Sequence, residues 1–335
     1  MTRRALVTGV SGQDGYFMAE RLVAEGVKVI APVRCADTAR ESCGALAAAL
    51  EFVDFDFLQP GACSSLLESV APDFIFNFAA RSTGSGMYDN PEEIYRVNAC
   101  FPMEILHTML ASPACRGASF VQASSAEMFG DNGNTRQDES ACFRPRSPYG
   151  SAKLYVHNMI GIYRQTQGLH ASSAILFNHE STRRPEAFVT RKIAVAAARI
   201  RHGLQDKLLL GNLEAQRDWG YAPEYVDAMY RMACASEPED FVIATGALHP
   251  LTDVLDFAFT AVGLDYRAYV VVDRASARKA ERAPHFGDPS LIGRRLGWRP
   301  GKPLREIIEE MVRAELEHLS GQPRAARFSG AGTEG

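Results

Sequence analysis

Short, nearly unbroken apolar runs alternate with longer stretches of helical spacing through the first half of the chain. The runs at 3–8, 28–33, 51–55, 73–78, 118–123 and 172–176 read as strands buried on both faces. Between them, 14–25 (closed by Gly26), 45–50, 60–69, 91–110 and 147–166 carry helical spacing or propensity. This alternation predicts a Rossmann-type doubly wound parallel sheet, an α/β fold, over residues 1–177.

Beyond residue 177 the rhythm loosens. The pattern predicts a loop over 178–188, helices over 189–203, 224–236 and 252–262, and strands over 207–210, 241–245 and 269–272. Two last helices follow, one opened by Asp288-Pro289-Ser290 and one over 304–318. We expect 178–320 to form a smaller α/β substrate-binding lobe, interleaved with the first, with segments near 220–247 returning to the main sheet. Residues 321–335 lack apolar periodicity and read as a disordered tail.

At 335 residues the chain is long enough for two lobes around sizeable cores. A net charge of −4 and a pI near 6.1 argue against a nucleic-acid or membrane-surface partner. The start shows no secretory signal and no apolar run reaches the length of a membrane span, so a cytoplasmic location is expected. Seven cysteines without a CxxC pair read as reduced, mostly buried small hydrophobes, and the histidines show no metal-ligand spacing; no metal is expected.

The first strand runs into Thr8-Gly9-Val10-Ser11-Gly12-Gln13-Asp14-Gly15, a G-x-x-G-x-x-G loop opening a helix. Its glycines let backbone approach a pyrophosphate resting on the helix N-terminus. At the end of strand two stands Arg34 where NAD enzymes often carry an acid; a cation suits the 2′-phosphate of NADP, the plain alternative being a solvated arginine. Asp56 and Phe57, after strand three, are candidates for the adenine, and Ala79, after strand four, for the path of the cofactor. NADP is the expected cofactor, ahead of NAD.

Tyr149 and Lys153 lie four apart, on one face of a helix, so the ammonium can sit near the phenol and draw its pKa down from about 10. Glu127, close to Ser125, adds a second acid/base group. One base serves a plain oxidation; two suggest that a second proton must move. An exposed carboxylate at a strand end is the ordinary alternative for Glu127. His179 reads as a structural hydrogen-bonder in its loop, and Trp219 and Trp298 as packing residues.

Several runs together resemble the extended short-chain dehydrogenase/reductase superfamily and, within it, the GDP-mannose 4,6-dehydratase family. They are LVTGVSGQDG (6–15), RSPYGSAK (146–153), ILFNHESTRRPEAFVTRKI (175–193), LLGNLEAQRDWGYAPEYVDAM (209–229), FVIATG (241–246) and GDPSLIGRRLGWRP (287–300). The resemblance implies that Tyr149 and Lys153 form the catalytic pair, with Lys153 also holding the nicotinamide ribose. It aligns Ser125 with an active-site threonine and Glu127 with an essential glutamate. It puts Ser82, Asn178, Lys192, Arg217, Arg278 and Glu281 beside the nucleotide sugar, where Arg217 and Arg278 suit a diphosphate. The implied reaction removes a hydride from C4 of a GDP-manno-configured sugar, eliminates water across C5–C6 and returns the hydride to C6.

The chain also departs from the family pattern. A pair of arginines after strand two is here Arg34-Cys35, and the segment that follows is short. That segment builds a tetramer in the family, so a homodimer on helices 91–110 and 149–167 is expected instead. A Ser-His-Val is here Ser82-Thr83-Gly84, and an Arg-Pro is Arg278-Lys279. The smaller Thr83-Gly84 pair leaves the sugar open between GDP-D-mannose and GDP-D-glycero-D-manno-heptose, the latter feeding capsule polysaccharide synthesis. Two rivals stand beside this reading: a nucleotide-sugar 4-epimerase or 4-ketoreductase on the same scaffold, and a non-catalytic cofactor-binding relative.

Overall fold

The computed structural model describes residues 2–82, 90–131, 133, 136–273 and 286–321. Its first half alternates β1 (Arg4–Thr8), α1 (Gln13–Ala24), β2 (Lys28–Val33), α2 (Ala36–Cys43), β3 (Leu50–Asp54), α3 (Ala62–Val70) and β4 (Phe74–Asn77). Then come α4 (Pro91–Tyr95), α5 (Phe101–Ala111), β5 (Ser119–Ala123), the two-residue β6 (Arg136–Gln137), α6 (Pro148–Gln167) and β7 (Ala171–Leu176). In the second half lie β8 (Asn178–Glu180), α7 (Val189–Arg201), β9 (Leu208–Leu210), β10 (Gln216–Arg217), β11 (Trp219–Tyr221), α8 (Ala222–Cys234) and β12 (Phe241–Ile243). The chain closes with β13 (His249–Pro250), α9 (Leu251–Thr260), β14 (Val270–Val272), β15 (Phe286–Gly287), α10 (Ser290–Leu296) and α11 (Leu304–Gly321).

Seven parallel strands form one sheet in the order β12-β7-β5-β4-β1-β2-β3. This is the doubly wound arrangement, with a chain reversal beside β1 that opens a crevice at the strands' C-terminal ends. Strands β4, β5 and β7 are buried along their whole length, which is why they read as continuous runs without alternation. One face carries a core with α1 and α8, including Met18, Leu22, Val226 and Met229; the other packs α3, α5 and α6 through Leu67, Ile105 and Val156. A separate core joins α7, α9 and α11 around Ile193, Phe259 and Ile308. Trp219 lies in that core, whereas Trp298 packs edge-on against Tyr225 at 5.9 Å in the first.

Four local expectations are corrected. Helical spacing was expected at 45–50, yet the α-helix runs over Ala36–Cys43, with a 3-10 stretch Gly44–Ala49 after it. Asp54 Oδ1 accepts from the Ala36 amide at 2.7 Å, capping α2 from the neighbouring strand, a signal no local pattern carries. The helix expected at 91–110 contains a π-helical stretch, Arg96–Cys100. The loop expected at 178–188 begins with β8, which pairs with β11. The cysteines are free, but only Cys43, Cys63 and Cys115 are buried; Cys35, Cys142 and Cys234 are exposed, because helix ends and loops carry them. Among the described residues no helix is long and apolar enough to cross a membrane.

Candidate active site

The C-terminal ends of the central strands are tied by a buried polar chain. Thr8 Oγ1 donates to Asn77 Oδ1 at 2.6 Å and accepts from the amides of Phe78 and Ala79 at 3.0 and 2.9 Å. Asn77 Nδ2 continues to Gln122 Oε1 at 2.8 Å, and Gln122 donates to the Ala123 carbonyl at 2.8 Å. Because each of these buried polar side chains finds a partner in the chain of bonds, the network ties the strand ends together at the mouth of the crevice.

Above it sits the glycine loop. Gly9 adopts φ +69°, and a Cβ on Gly15 would stand 2.3 Å from the Gly9 carbonyl oxygen, so α1 can begin this close only with glycine there. The resulting cradle and the helix N-terminus suit a pyrophosphate. Gln13 and Asp14 occupy the first turn of α1. Arg34, at the end of β2, is exposed and makes no hydrogen bond or ion pair among the described residues. Asp56 is also exposed, and its Oδ1 accepts from the Leu58 amide at 2.9 Å. Phe57 packs edge-on against Phe55 and Phe101, at 4.9 and 5.0 Å, as part of the wall.

After β5 the backbone turns through a short 3-10 stretch, Ala126–Met128, capped by Ser125, whose hydroxyl accepts from the Glu127 amide at 3.2 Å. The start of α6 lies directly against this turn. A Cβ on Gly150 would approach the Glu127 carbonyl oxygen to 2.7 Å, so the glycine after Tyr149 lets the helix bring that tyrosine up to Ser125 and Glu127. The Tyr149 hydroxyl lies within reach of Ser125, Glu127, Asp14 and Arg184, each of which shifts its pKa. At its far end α6 is anchored by Arg164, which grips Asp240 with two bonds of 2.8 and 2.7 Å; Asp240 also accepts from the Ser173 amide at 2.7 Å.

The electrostatics differ from the expectation that Lys153 lowers the phenol's pKa. Burial pushes the Tyr149 hydroxyl above its ordinary range; Ser125 and Arg184 pull it down, while Glu127 and Asp14 push it further up. Lys153 is 2% exposed, lies with Nζ 5.7 Å from the Tyr149 ring centre and donates to the Ala123 carbonyl at 2.7 Å. Burial without a carboxylate partner pulls its pKa down to about 7.

His179 and Arg184 were not among the expected site residues. His179 Nε2 lies 3.0 Å from both Asp14 oxygens, far outside the loop expected to hold it. Arg184 pairs with Glu180 at 3.1 Å and lies 3.6 Å over the Phe188 ring. Both fall within the 175–193 run, and that run was the only signal available for them. The residues expected beside the sugar sit on different segments of the chain. Ser82 is exposed; Asn178 opens β8 opposite Trp219; Lys192 is exposed and donates to the Leu209 carbonyl at 2.8 Å; Arg217 is half-buried and donates to the Gln216 carbonyl at 2.6 Å. Arg278 and Glu281, with Thr83, Gly84 and Lys279, lie outside the described residues.

Parallel-sheet order, glycine cradle and a Tyr-x-x-x-Lys helix beside a serine define the extended short-chain dehydrogenase/reductase class. Fold comparison agrees: RMD from Pseudomonas aeruginosa complexed with NADPH superposes with a TM-score of 0.78 at 19% identity, covering 95% of this chain and 100% of that one. The dTDP-glucose 4,6-dehydratase of Bacillus anthracis in complex with NAD gives 0.80 at 18% identity, covering 96% and 98%. At such identities the likeness concerns the fold. At the level of sequence, residues 6–311 match the GDP-mannose 4,6 dehydratase family, and GDP-mannose 4,6 dehydratase 1 of Arabidopsis thaliana is 36% identical over 324 residues, spanning 93% of this chain and 90% of the relative. The chain belongs to the GDP-mannose 4,6-dehydratase family.

Proposed function

We propose that this protein is an NADP-dependent dehydratase that converts a GDP-manno-configured sugar, GDP-D-mannose or GDP-D-glycero-D-manno-heptose, to its 4-keto-6-deoxy product. The observation that carries the reading is Glu127 brought together with Ser125 and Tyr149, the Ser125 hydroxyl accepting from the Glu127 amide and both residues shifting the Tyr149 pKa. Tyr149 takes the proton of the sugar O4 hydroxyl, and Ser125 steadies the charge developing on O4. A nicotinamide bound here would supply hydride exchange with the sugar, first at C4 and then at C6. A ketone at C4 acidifies the C5 proton, which Glu127 removes and hands to the departing C6 hydroxyl, releasing water; C5 then regains a proton. Lys153 holds the nicotinamide ribose. The nucleotide is bound by Ser82, Asn178, Lys192 and Arg217, with Arg278 and Glu281.

Arg34, exposed at the end of β2, supports NADP over NAD because a guanidinium can pair with a 2′-phosphate. A homodimer on α4–α5 and α6 is supported by exposed Tyr95, Tyr155 and Ile162, at 56%, 44% and 49%, with Tyr95 and Tyr155 lining a cavity of about 450 Å³. Its mass in sedimentation tests this, a tetramer being the contrary result. The setting is cytoplasmic nucleotide-sugar synthesis for surface polysaccharide.

The deciding experiment incubates the protein with NADP and each GDP-sugar. A 4-keto-6-deoxy product absorbing in strong alkali, formed without net cofactor consumption, supports the dehydratase. Epimerised product, or stoichiometric NADPH use, supports the epimerase or ketoreductase instead. Comparing kcat/KM on the two sugars assigns the substrate.

A further inference from the structure

We propose that Asp14 and His179 form a proton-sharing pair that cancels the negative charge carried by the phosphate loop, so that an anionic dinucleotide can rest there. This builds on the reading that the cleft binds a nicotinamide dinucleotide.

The hydrogen-bond geometry leads. His179 Nδ1 lies 2.7 Å from the Phe177 carbonyl oxygen, and Nε2 lies 3.0 Å from both carboxylate oxygens of Asp14. A carbonyl only accepts, and so does an ionised carboxylate. Both contacts are satisfied together only if the pair holds one proton more than a neutral imidazole and a carboxylate would. Whether that proton sits on the ring or on Asp14, the pair is neutral overall. Without it, the pair would carry a full negative charge.

The surroundings hold this arrangement in place. Tyr225 on α8 stacks on the ring at 4.7 Å, and Gly220 makes room for it, since a Cβ there would stand 2.3 Å from the Tyr225 ring. Gln13 Nε2 donates to the His179 carbonyl at 3.0 Å, and Ser181 donates to Gln13 Oε1 at 2.7 Å. The charged and titratable groups facing the pair are Arg184 from the loop after β8, Tyr149 from α6 and Tyr225 from α8. Glu180 is engaged elsewhere, by Arg184 and by the Thr190 hydroxyl at 2.6 Å.

Burial alone would disfavour both ions, yet their mutual charge and hydrogen bonds prevail. The His179 pKa is raised and that of Asp14 lowered. The α1 first turn is where the helix dipole favours a diphosphate. A bare carboxylate there repels it, so cofactor affinity is full below the imidazolium's raised pKa and declines as pH climbs through it.

The test titrates NADPH into the full-length protein, without sugar, from pH 6 to 9.5. His179→Gln strands the Asp14 charge and is expected to weaken binding about 10- to 30-fold, the size of a unit charge about 8 to 12 Å off at an effective dielectric near 20. Asp14→Asn with His179→Gln removes that charge, and is expected to restore affinity to within about threefold and to abolish the pH slope. A hydrogen-bonded latch without electrostatic purpose predicts the reverse, a double variant at least as weak as the single one, and that result overturns the proposal. Nitrogen-15 NMR of the wild-type ring needs no variant to fold. Both ring nitrogens protonated, or one protonated beside a protonated Asp14 carboxyl, supports the pair; a neutral ring facing an ionised Asp14 overturns it. Failure to bind any nicotinamide dinucleotide would sink the reading of the cleft, while the NMR result still decides the pair.

Discussion

Lys153 on α6 and His179 on β8 are both buried, at 2% and 6% exposure, yet their pKa values move in opposite directions. Among the described residues Lys153 donates to the Ala123 carbonyl and faces no carboxylate, and its pKa sinks to about 7. His179 faces a carboxylate, and its pKa rises. Burial sets a penalty for any ion; the partner decides whether the penalty wins. Lys153 therefore lacks a charged partner among the described residues, whereas His179 faces one in Asp14.

Four changes would break or sharpen this contrast. The largest effect is expected from Glu127→Gln, which should lower dehydratase turnover about 10³-fold while NADPH affinity stays near wild type, since proton transfer is lost and the phosphate loop is untouched. Turnover within tenfold of wild type would remove Glu127 from the mechanism. Lys153→Met should cost about 10²-fold in turnover, yet raise the melting temperature of the cofactor-free protein by several degrees, because an unpaired buried ammonium is gone. A lower melting temperature would show that the ammonium is stabilised where it lies.

The pH dependence follows from the same shift. Between about pH 7 and the ordinary lysine value of 10.5, the unfolded chain keeps a proton on Lys153 that the folded chain has released. Stability of the cofactor-free protein should therefore rise with pH from 7 to 9, and Lys153→Met should flatten that rise; calorimetry at stepped pH measures it. The smallest effect is expected from Arg34→Ala, about a tenfold loss of NADPH affinity with NADH affinity little changed. Equal losses for both cofactors would remove Arg34 from 2′-phosphate recognition.

The sheet was legible because its strands, at 28–33 for example, are local apolar runs between glycine and polar breaks. The phosphate loop and the Tyr149–Lys153 spacing were legible because each depends on neighbours within a few residues. Helix α2 was not, because its cap comes from Asp54 on another strand. The sign of the Tyr149 shift was also hidden: adjacency to Lys153 is local, but the desolvation and the carboxylates of Glu127 and Asp14 that outweigh it come from three elements folded together.

Periodicity and motif spacing thus determined the fold class, the glycine cradle and the types of group proposed for catalysis, since these follow from steric rules acting along the chain. Only the tertiary structure decided the charge state of those groups. Asp14 meets His179 across 165 positions once the sheet closes. Electrostatic energy depends on distance through a low-dielectric interior, a quantity that separation along the chain does not report.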